Sequence, residues 1–170
     1  MARVTFLLGG ARSGKSARAL ALAPAPHVFI ATGEALDAEM ADRIARHKAE
    51  RGATWALIEA PLDLPGALAQ AAGPDMHVVI DCLTLWLSNL MHHAHPIGPA
   101  TEGLLAALDR APGHILLVSN ELGLGLSPME PLSRRFRDAQ GRLNQAIAAR
   151  ADRVEFIAAG LPMVLKGSPA

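Results

Sequence analysis

The residues best suited to chemistry stand near the start of the chain: Gly9-Gly10-Ala11-Arg12-Ser13-Gly14-Lys15-Ser16, a glycine, four residues, then Gly-Lys-Ser. That spacing suits the phosphates of a nucleoside triphosphate. Gly9, Gly10 and Gly14 let the backbone curl around an anion with its N–H groups turned inward, a path that side chains would obstruct. Lys15 is expected to reach the β and γ phosphates, and Ser16 to ligate Mg²⁺ through its hydroxyl.

Such a loop has to hang between a strand and a helix. The apolar run Val4-Thr5-Phe6-Leu7-Leu8 precedes it and the helix-like segment Ala17 to Ala23 follows. A helix starting near Lys15 would aim its positive end at the same phosphates. A second strand-like run, His77-Val78-Val79-Ile80-Asp81-Cys82, is apolar up to an Asp near its end. In a chain that already carries a phosphate loop, this reads as the Walker B strand, with Asp81 binding Mg²⁺ directly or through water.

Composition narrows the ligand. The chain has 170 residues, 51% of them hydrophobic but only 4% aromatic, so one domain with an aliphatic core of Val, Ile and Leu strands under helices is expected. Sixteen basic and 16 acidic residues cancel, which argues for a small ligand over nucleic acid or an anionic membrane surface. The single cysteine, Cys82, leaves no intrachain disulfide and suits a reducing compartment. With no signal-like start and no apolar run near the ~20 residues that span a bilayer, a cytoplasmic protein is expected.

The remaining elements follow from period and punctuation. His27 to Ala31 reads as a buried strand that makes a βαβ unit with the first, and Thr32-Gly33-Glu34 turns out of it. Glu34 to Arg51 reads as a helix. Its Leu36, Met40 and Ile44 recur at four-residue spacing, and the same face then becomes basic through Arg43, His47 and Arg51. Its second half is therefore expected to overhang a polar site.

Thr54 to Glu59 reads as a short strand or an extended segment, and Leu62 to Ala72 and Thr84 to Met91 as helices. The cluster His92-His93-Ala94-His95 reads as an exposed loop in preference to a Zn²⁺ site, because no Cys or carboxylate completes a tetrahedral set and Pro96 to Pro99 looks loop-like. Thr101 to Arg110 is a helix and His114 to Glu121 a strand breaking into a polar turn. Leu132 to Arg150 is a long helix. Val154 to Ala158 and Met163 to Leu165 are the last strands, the latter antiparallel at an edge after a Gly160-Leu161-Pro162 turn. Cys82 is read as a small core residue. From periodicity alone His47 reads as a surface histidine on a basic helix face, and Glu59 as the exposed end of a strand.

Several separated segments together resemble one family, the bifunctional adenosylcobinamide kinase and adenosylcobinamide-phosphate guanylyltransferase of cobalamin biosynthesis. They are the phosphate loop; Ala31-Thr32-Gly33-Glu34; Asp37-Ala38-Glu39-Met40 with Arg43-Ile44-Ala45-Arg46-His47-Lys48; Arg51, Trp55, Glu59 and Pro61; Asp81-Cys82-Leu83-Thr84-Leu85-Trp86-Leu87-Ser88-Asn89; Ser119 to Gly123; Arg135 to Asp138 with Gly141 and Leu143-Asn144-Gln145; and Gly160 to Met163.

The resemblance implies a RecA-like P-loop NTPase fold, a mostly parallel sheet flanked by helices. It implies phosphorylation of adenosylcobinamide by ATP or GTP, then GMP transfer from GTP through a guanylyl-histidine on His47. It further implies that Ala31, Thr32, Gly33, Lys48, Ala49, Glu50, Arg51, Glu59 and Asp81 contact the nucleotide or its metal, and that the chain forms a homotrimer. The rival readings are a plain small-molecule kinase and a GTP-binding regulatory switch.

Overall fold

A computed structural model describes residues 2–35, 41–42 and 54–168. In chain order the elements are β1 (Arg3–Gly9), α1 (Lys15–Ala21), β2 (His27–Ala31), β3 (Ala56–Glu59), α2 (Leu64–Ala71), β4 (His77–Asp81), α3 (Leu83–His92), α4 (Ile97–Arg110), β5 (His114–Asn120), α5 (Pro131–Arg150), β6 (Arg153–Ala158) and β7 (Leu161–Lys166). The seven strands form one sheet in the order β3-β2-β4-β5-β1-β6-β7, parallel except for β7. This is the mostly parallel α/β sheet that the phosphate loop and the apolar strands predict. The helix expected over 34–51, His47 included, lies almost wholly outside the described residues.

Near-continuous apolar strands form because both faces of the sheet are covered. Successive residues point to opposite faces, so Val4, Phe6 and Leu8 join one core with Ile30, Ile80, Ile115 and Leu117, against helices α2 to α5. Leu7 turns the other way, to Phe29, Val79, Leu116, Val118 and Ile157, with Ala19 of α1. Trp55 closes this second core at the edge, stacked on the His27 ring with centroids 3.7 Å apart.

β1 and β2 are parallel, as expected, with β4 and β5 between them. Two sequence expectations are corrected. Pro96 to Pro99 is not a loop: Pro96 is the N-cap of α4, which starts at Ile97 and takes Pro99 into its first turn, where a missing N–H has no helical partner to lose. The last turn is Ala159-Gly160, both at positive φ (51° and 78°), and Leu161 and Pro162 already pair with Ala158 and Ile157. A two-residue loop with both residues left-handed matches the twist of the strands it joins.

Among the described residues no helix is long and apolar enough to cross a membrane.

Candidate phosphate-binding and nucleotidyl-transfer site

The site is built at the C-terminal ends of the parallel strands, where open α/β sheets gather ligands. The loop after β1 is pinned on three sides. Glu121, just past β5, donates its N–H to the Gly9 carbonyl at 3.1 Å, and Gly160 of the hairpin turn donates to the Ser13 carbonyl at 2.8 Å. A Cβ on Gly9 would sit 2.3 Å from the Ile157 carbonyl oxygen, so β6 itself forbids a side chain there. Gly14 caps α1 at φ 100°, and a Cβ on it would come within 3.2 Å of the Gly160 Cα. Gly10 is different. Among the described residues nothing approaches within 4 Å of where its Cβ would stand.

Lys15 is buried and bends back over its own loop, donating to the Gly10 carbonyl at 2.5 Å and to Ser13 Oγ at 3.4 Å. Burial pulls its ammonium below the ordinary lysine range, and the Asp81 carboxylate acts in the opposite sense. Next to it, Ser16 donates its hydroxyl to Asp81 Oδ2 at 2.5 Å. Two residues 65 positions apart thus bring two oxygens together, the kind of donor that could hold a hard divalent cation. Among the described residues no group of three His, Cys, Asp or Glu could hold a metal ion.

The segment after Asp81 braces the site. Cys82 caps α3, its sulfur accepting from the Leu85 N–H at 3.5 Å. Burial, with the neighbouring Asp81 charge, pushes its thiol up to about 12, so it stays protonated, as a core residue and not a nucleophile would. Thr32 Oγ1 accepts from the Cys82 N–H at 2.8 Å and donates to the Cys82 carbonyl at 2.7 Å. Thr84 Oγ1 accepts from the Asn120 N–H at 2.9 Å. Trp86 donates to the Leu62 carbonyl at 2.9 Å, and Asn89 to the carbonyls of Thr32 and Pro61 at 2.7 and 3.0 Å. Residues of the Asp-Cys-Leu-Thr-Leu-Trp-Leu-Ser-Asn run therefore tie three separate chain segments to one helix.

Strand register decides which predicted residues share the edge. Ala31 lies opposite Glu59 on one side and Asp81 on the other. Glu59 is exposed at the end of β3, four strand intervals from Gly9, about 19 Å at ordinary strand spacing. Ala31, Thr32, Gly33, Glu59 and Asp81 thus line one rim with the phosphate loop. His47, Lys48, Ala49, Glu50 and Arg51 lie outside the described residues. His92 and His95 are exposed, and His93 pairs with Glu34 at 2.9 Å.

Two polar clusters carry the site without having been assigned roles from the motifs. Ser119, Gln140 and Asn144 interlock between β5 and α5, and Asn144 also donates to the Asn120 carbonyl at 3.0 Å. Glu155 on β6 is fully buried and receives two hydrogen bonds from Arg18 of α1, at 2.9 and 3.0 Å, and one from Arg153 at 2.8 Å. A charged residue amid an apolar strand, Glu155 in Val-Glu-Phe-Ile, was the available signal.

A glycine-rich loop leaving a central parallel strand, with a hydroxyl and a carboxylate converging behind its lysine, defines a phosphate-loop nucleotide-binding α/β protein. Two solved structures share the architecture: a Pyrococcus horikoshii OT3 protein (TM-score 0.57, 8% identity, covering 98% of this chain and 87% of that one) and the flagellar accessory protein FlaH of Methanocaldococcus jannaschii (TM-score 0.50, 13% identity, 98% and 79%). At such identities the likeness concerns the fold alone.

The sequence goes further, because residues 5–165 match the model of the cobinamide kinase / cobinamide phosphate guanyltransferase family, and the chain belongs to that family. It is 49% identical to the bifunctional adenosylcobalamin biosynthesis protein CobP of Pseudomonas aeruginosa over 169 residues, covering 96% of this chain and 98% of that protein. It is also 38% and 34% identical to the CobU proteins of Salmonella typhimurium and Escherichia coli, each over 178 residues, 95% of this chain and 98% of theirs.

Proposed function

We propose that this chain phosphorylates the aminopropanol hydroxyl of adenosylcobinamide with ATP or GTP, then transfers GMP from GTP to the product phosphate through a guanylyl-histidine on His47, releasing pyrophosphate. The observation that carries the reading is near end-to-end similarity to relatives named as bifunctional adenosylcobalamin biosynthesis proteins. The rim formed by the phosphate loop, Asp81, Ala31 to Gly33 and Glu59 fits it, being about one nucleotide long.

In the first step the substrate hydroxyl attacks the γ-phosphorus, the bond to the bridging oxygen breaks, the nucleoside diphosphate leaves, and the hydroxyl proton passes to solvent. Lys15 and the inward N–H groups of Gly9 to Ser16 hold the β and γ phosphates against that displacement. Ser16 and Asp81 would hold Mg²⁺, which neutralises phosphate charge when bound.

In the second step the His47 imidazole attacks the α-phosphorus of GTP and pyrophosphate leaves. The acceptor's phosphate oxygen then displaces the imidazole, forming the new P–O bond and freeing the ring. Arg43, Lys48 and Arg51 are assigned to supply positive charge to the phosphates, and cationic neighbours of that kind favour the neutral imidazole that attack requires. Glu59 is assigned to the N1–H and amino group of guanine, both donors that a carboxylate accepts. We assign residues 1–170 to a single nucleotide-binding domain in the cytoplasm, assembling as a homotrimer. The outward Leu161, Met163 and Leu165 of the edge strand give such an assembly apolar surface to cover.

The deciding experiment mixes the protein with Mg²⁺ and α-labelled GTP. Acid-labile, alkali-stable label on the wild type, absent from His47→Ala, is the expected result. Label moving from γ-labelled nucleotide to cobinamide with no α-label adduct would reduce the protein to a kinase. No movement of either label would leave only the regulatory-switch reading. Light scattering at the mass of one chain would remove the trimer.

A further inference from the structure

Helix α5 carries Gly141 in its interior, and nothing among the described residues requires a glycine there. Its φ is not positive, and a Cβ would meet nothing within 4 Å. An interior helical glycine is unfavourable relative to alanine, so the space left open among the described residues points to a bound group. Gly141 lines an open cavity of about 610 Å³, between the loop at Gly123 and the part of α5 that carries Arg137, Asp138, Arg142 and Gln145.

The loop bordering this cavity exposes Leu124, Leu126 and Met129 almost fully, at 81%, 99% and 95%. It also begins at the reacting site. Glu121 donates its N–H to Gly9 at the head of the phosphate loop, and Gly123 is tied back to the Glu121 carboxylate at 2.5 Å. Two residues of extended chain span at most about 7 Å, so the cavity opens beside the phosphate loop.

The lining specifies what fits. Two guanidinium groups donate, Asp138 accepts, and Gln145 does both. A nucleotide phosphate would meet the Asp138 carboxylate, and a wholly apolar ligand would strip water from two arginines. A primary carboxamide, with one carbonyl and two N–H donors, satisfies both kinds of partner. Arg137 is already held at the rim, donating to Ser127 Oγ at 3.3 Å. The volume falls within the range of small-molecule sites and takes one side of a corrin ring.

We infer that this cavity seats the carboxamide-bearing rim of the corrinoid acceptor, with the apolar face of the ring against Leu124, Leu126 and Met129. The inference rests on the cobinamide reading above and places its second substrate.

The test titrates adenosylcobinamide, by its absorbance, onto wild type, Gly141→Leu and Arg142→Ala, and a fluorescent GTP analogue onto the same proteins. Gly141→Leu is expected to raise the corrinoid Kd and KM tenfold or more, and Arg142→Ala several-fold. GTP-analogue affinity stays within twofold, and Gly141→Ala melts above wild type. Arg142 is exposed, so its variant decides if Gly141→Leu does not fold. Unchanged corrinoid Kd in the variants of a wild type that binds and turns over adenosylcobinamide overturns the cavity alone and leaves the proposed activities standing. A wild type that neither binds nor converts it overturns both. A changed oligomeric mass in Gly141→Leu with unaltered corrinoid Kd marks a contact between copies, and also overturns the assignment.

Discussion

Gly160, at the tip of the hairpin between β6 and β7, donates its backbone N–H to the carbonyl of Ser13 in the phosphate loop, 2.8 Å away. The loop that grips phosphate is therefore held from behind by a turn nearly 150 residues later. Rigidity of this kind matters because inward N–H groups stabilise charge only if they are already in place when it develops.

Gly14 is the residue most exposed to that constraint. Gly14→Ala places a Cβ at φ 100° and 3.2 Å from Gly160. It is expected to lower stability by about 1–3 kcal/mol and to weaken GTP-analogue binding at least tenfold. Gly10→Ala, where no described residue stands within 4 Å of the added Cβ, should leave the melting temperature within error of wild type. Equal melting temperatures for all three proteins would contradict the buttress.

Glu155 joins α1 to β6 through Arg18 and Arg153. Glu155→Ala leaves the buried Arg153 without its partner, and loss of about 3–5 kcal/mol is expected in denaturant unfolding. The Arg18 hydrogen bonds hold this carboxyl below its usual range. Its contribution is thus complete above the unfolded carboxyl pKa of about 4.3 and fades as acid titrates the folded group. The variant should show a shallower acid limb than wild type; superimposable limbs would sink the assignment.

His114 sits at the opposite, N-terminal end of the parallel strands, its Nε2 2.9 Å from Thr5 Oγ1. Burial, then the Arg3 charge, lower its pKa from 6.5 to about 4. The unfolded chain therefore takes up a proton first as pH falls. Stability is full above pH 6.5, declines between about 6.5 and 4, and levels off below. His114→Gln should flatten the melting-temperature profile across that window, and an unaltered slope there would refute the burial argument.

The Ser16–Asp81 pair predicts a separation of activity from stability. Asp81→Asn keeps the shape and a hydrogen-bonding oxygen but removes the charge expected to attract Mg²⁺. We expect phosphoryl and nucleotidyl transfer to fall at least 100-fold, with partial recovery at high Mg²⁺, while the protein melts near wild type. Activity within tenfold of wild type would remove Asp81 from the metal role.

The elements that sequence locates well are those whose signals are local. β1, β4 and β5 are short apolar runs with polar ends, and α5 has its long period, so their bounds fall within a residue or two of expectation. The ends of elements were harder. Pro96 and Pro99 read as loop breakers until the N-cap and first turn of α4 accommodate them. Leu161 and Pro162 read as a turn because the left-handed conformation falls on Ala159, a residue that does not advertise it.

By itself the sequence determined the phosphate loop, the strand ending in Asp81, the parallel α/β class and the family, because each rests on residue types at fixed short spacing. Tertiary structure alone decided that β1 and β2 stand apart, that Ser16 meets Asp81, that Arg18 and Arg153 share Glu155, and that Gly160 backs Ser13. Strand order and long-range partners depend on how separate faces bury one another, and no local periodicity encodes that choice.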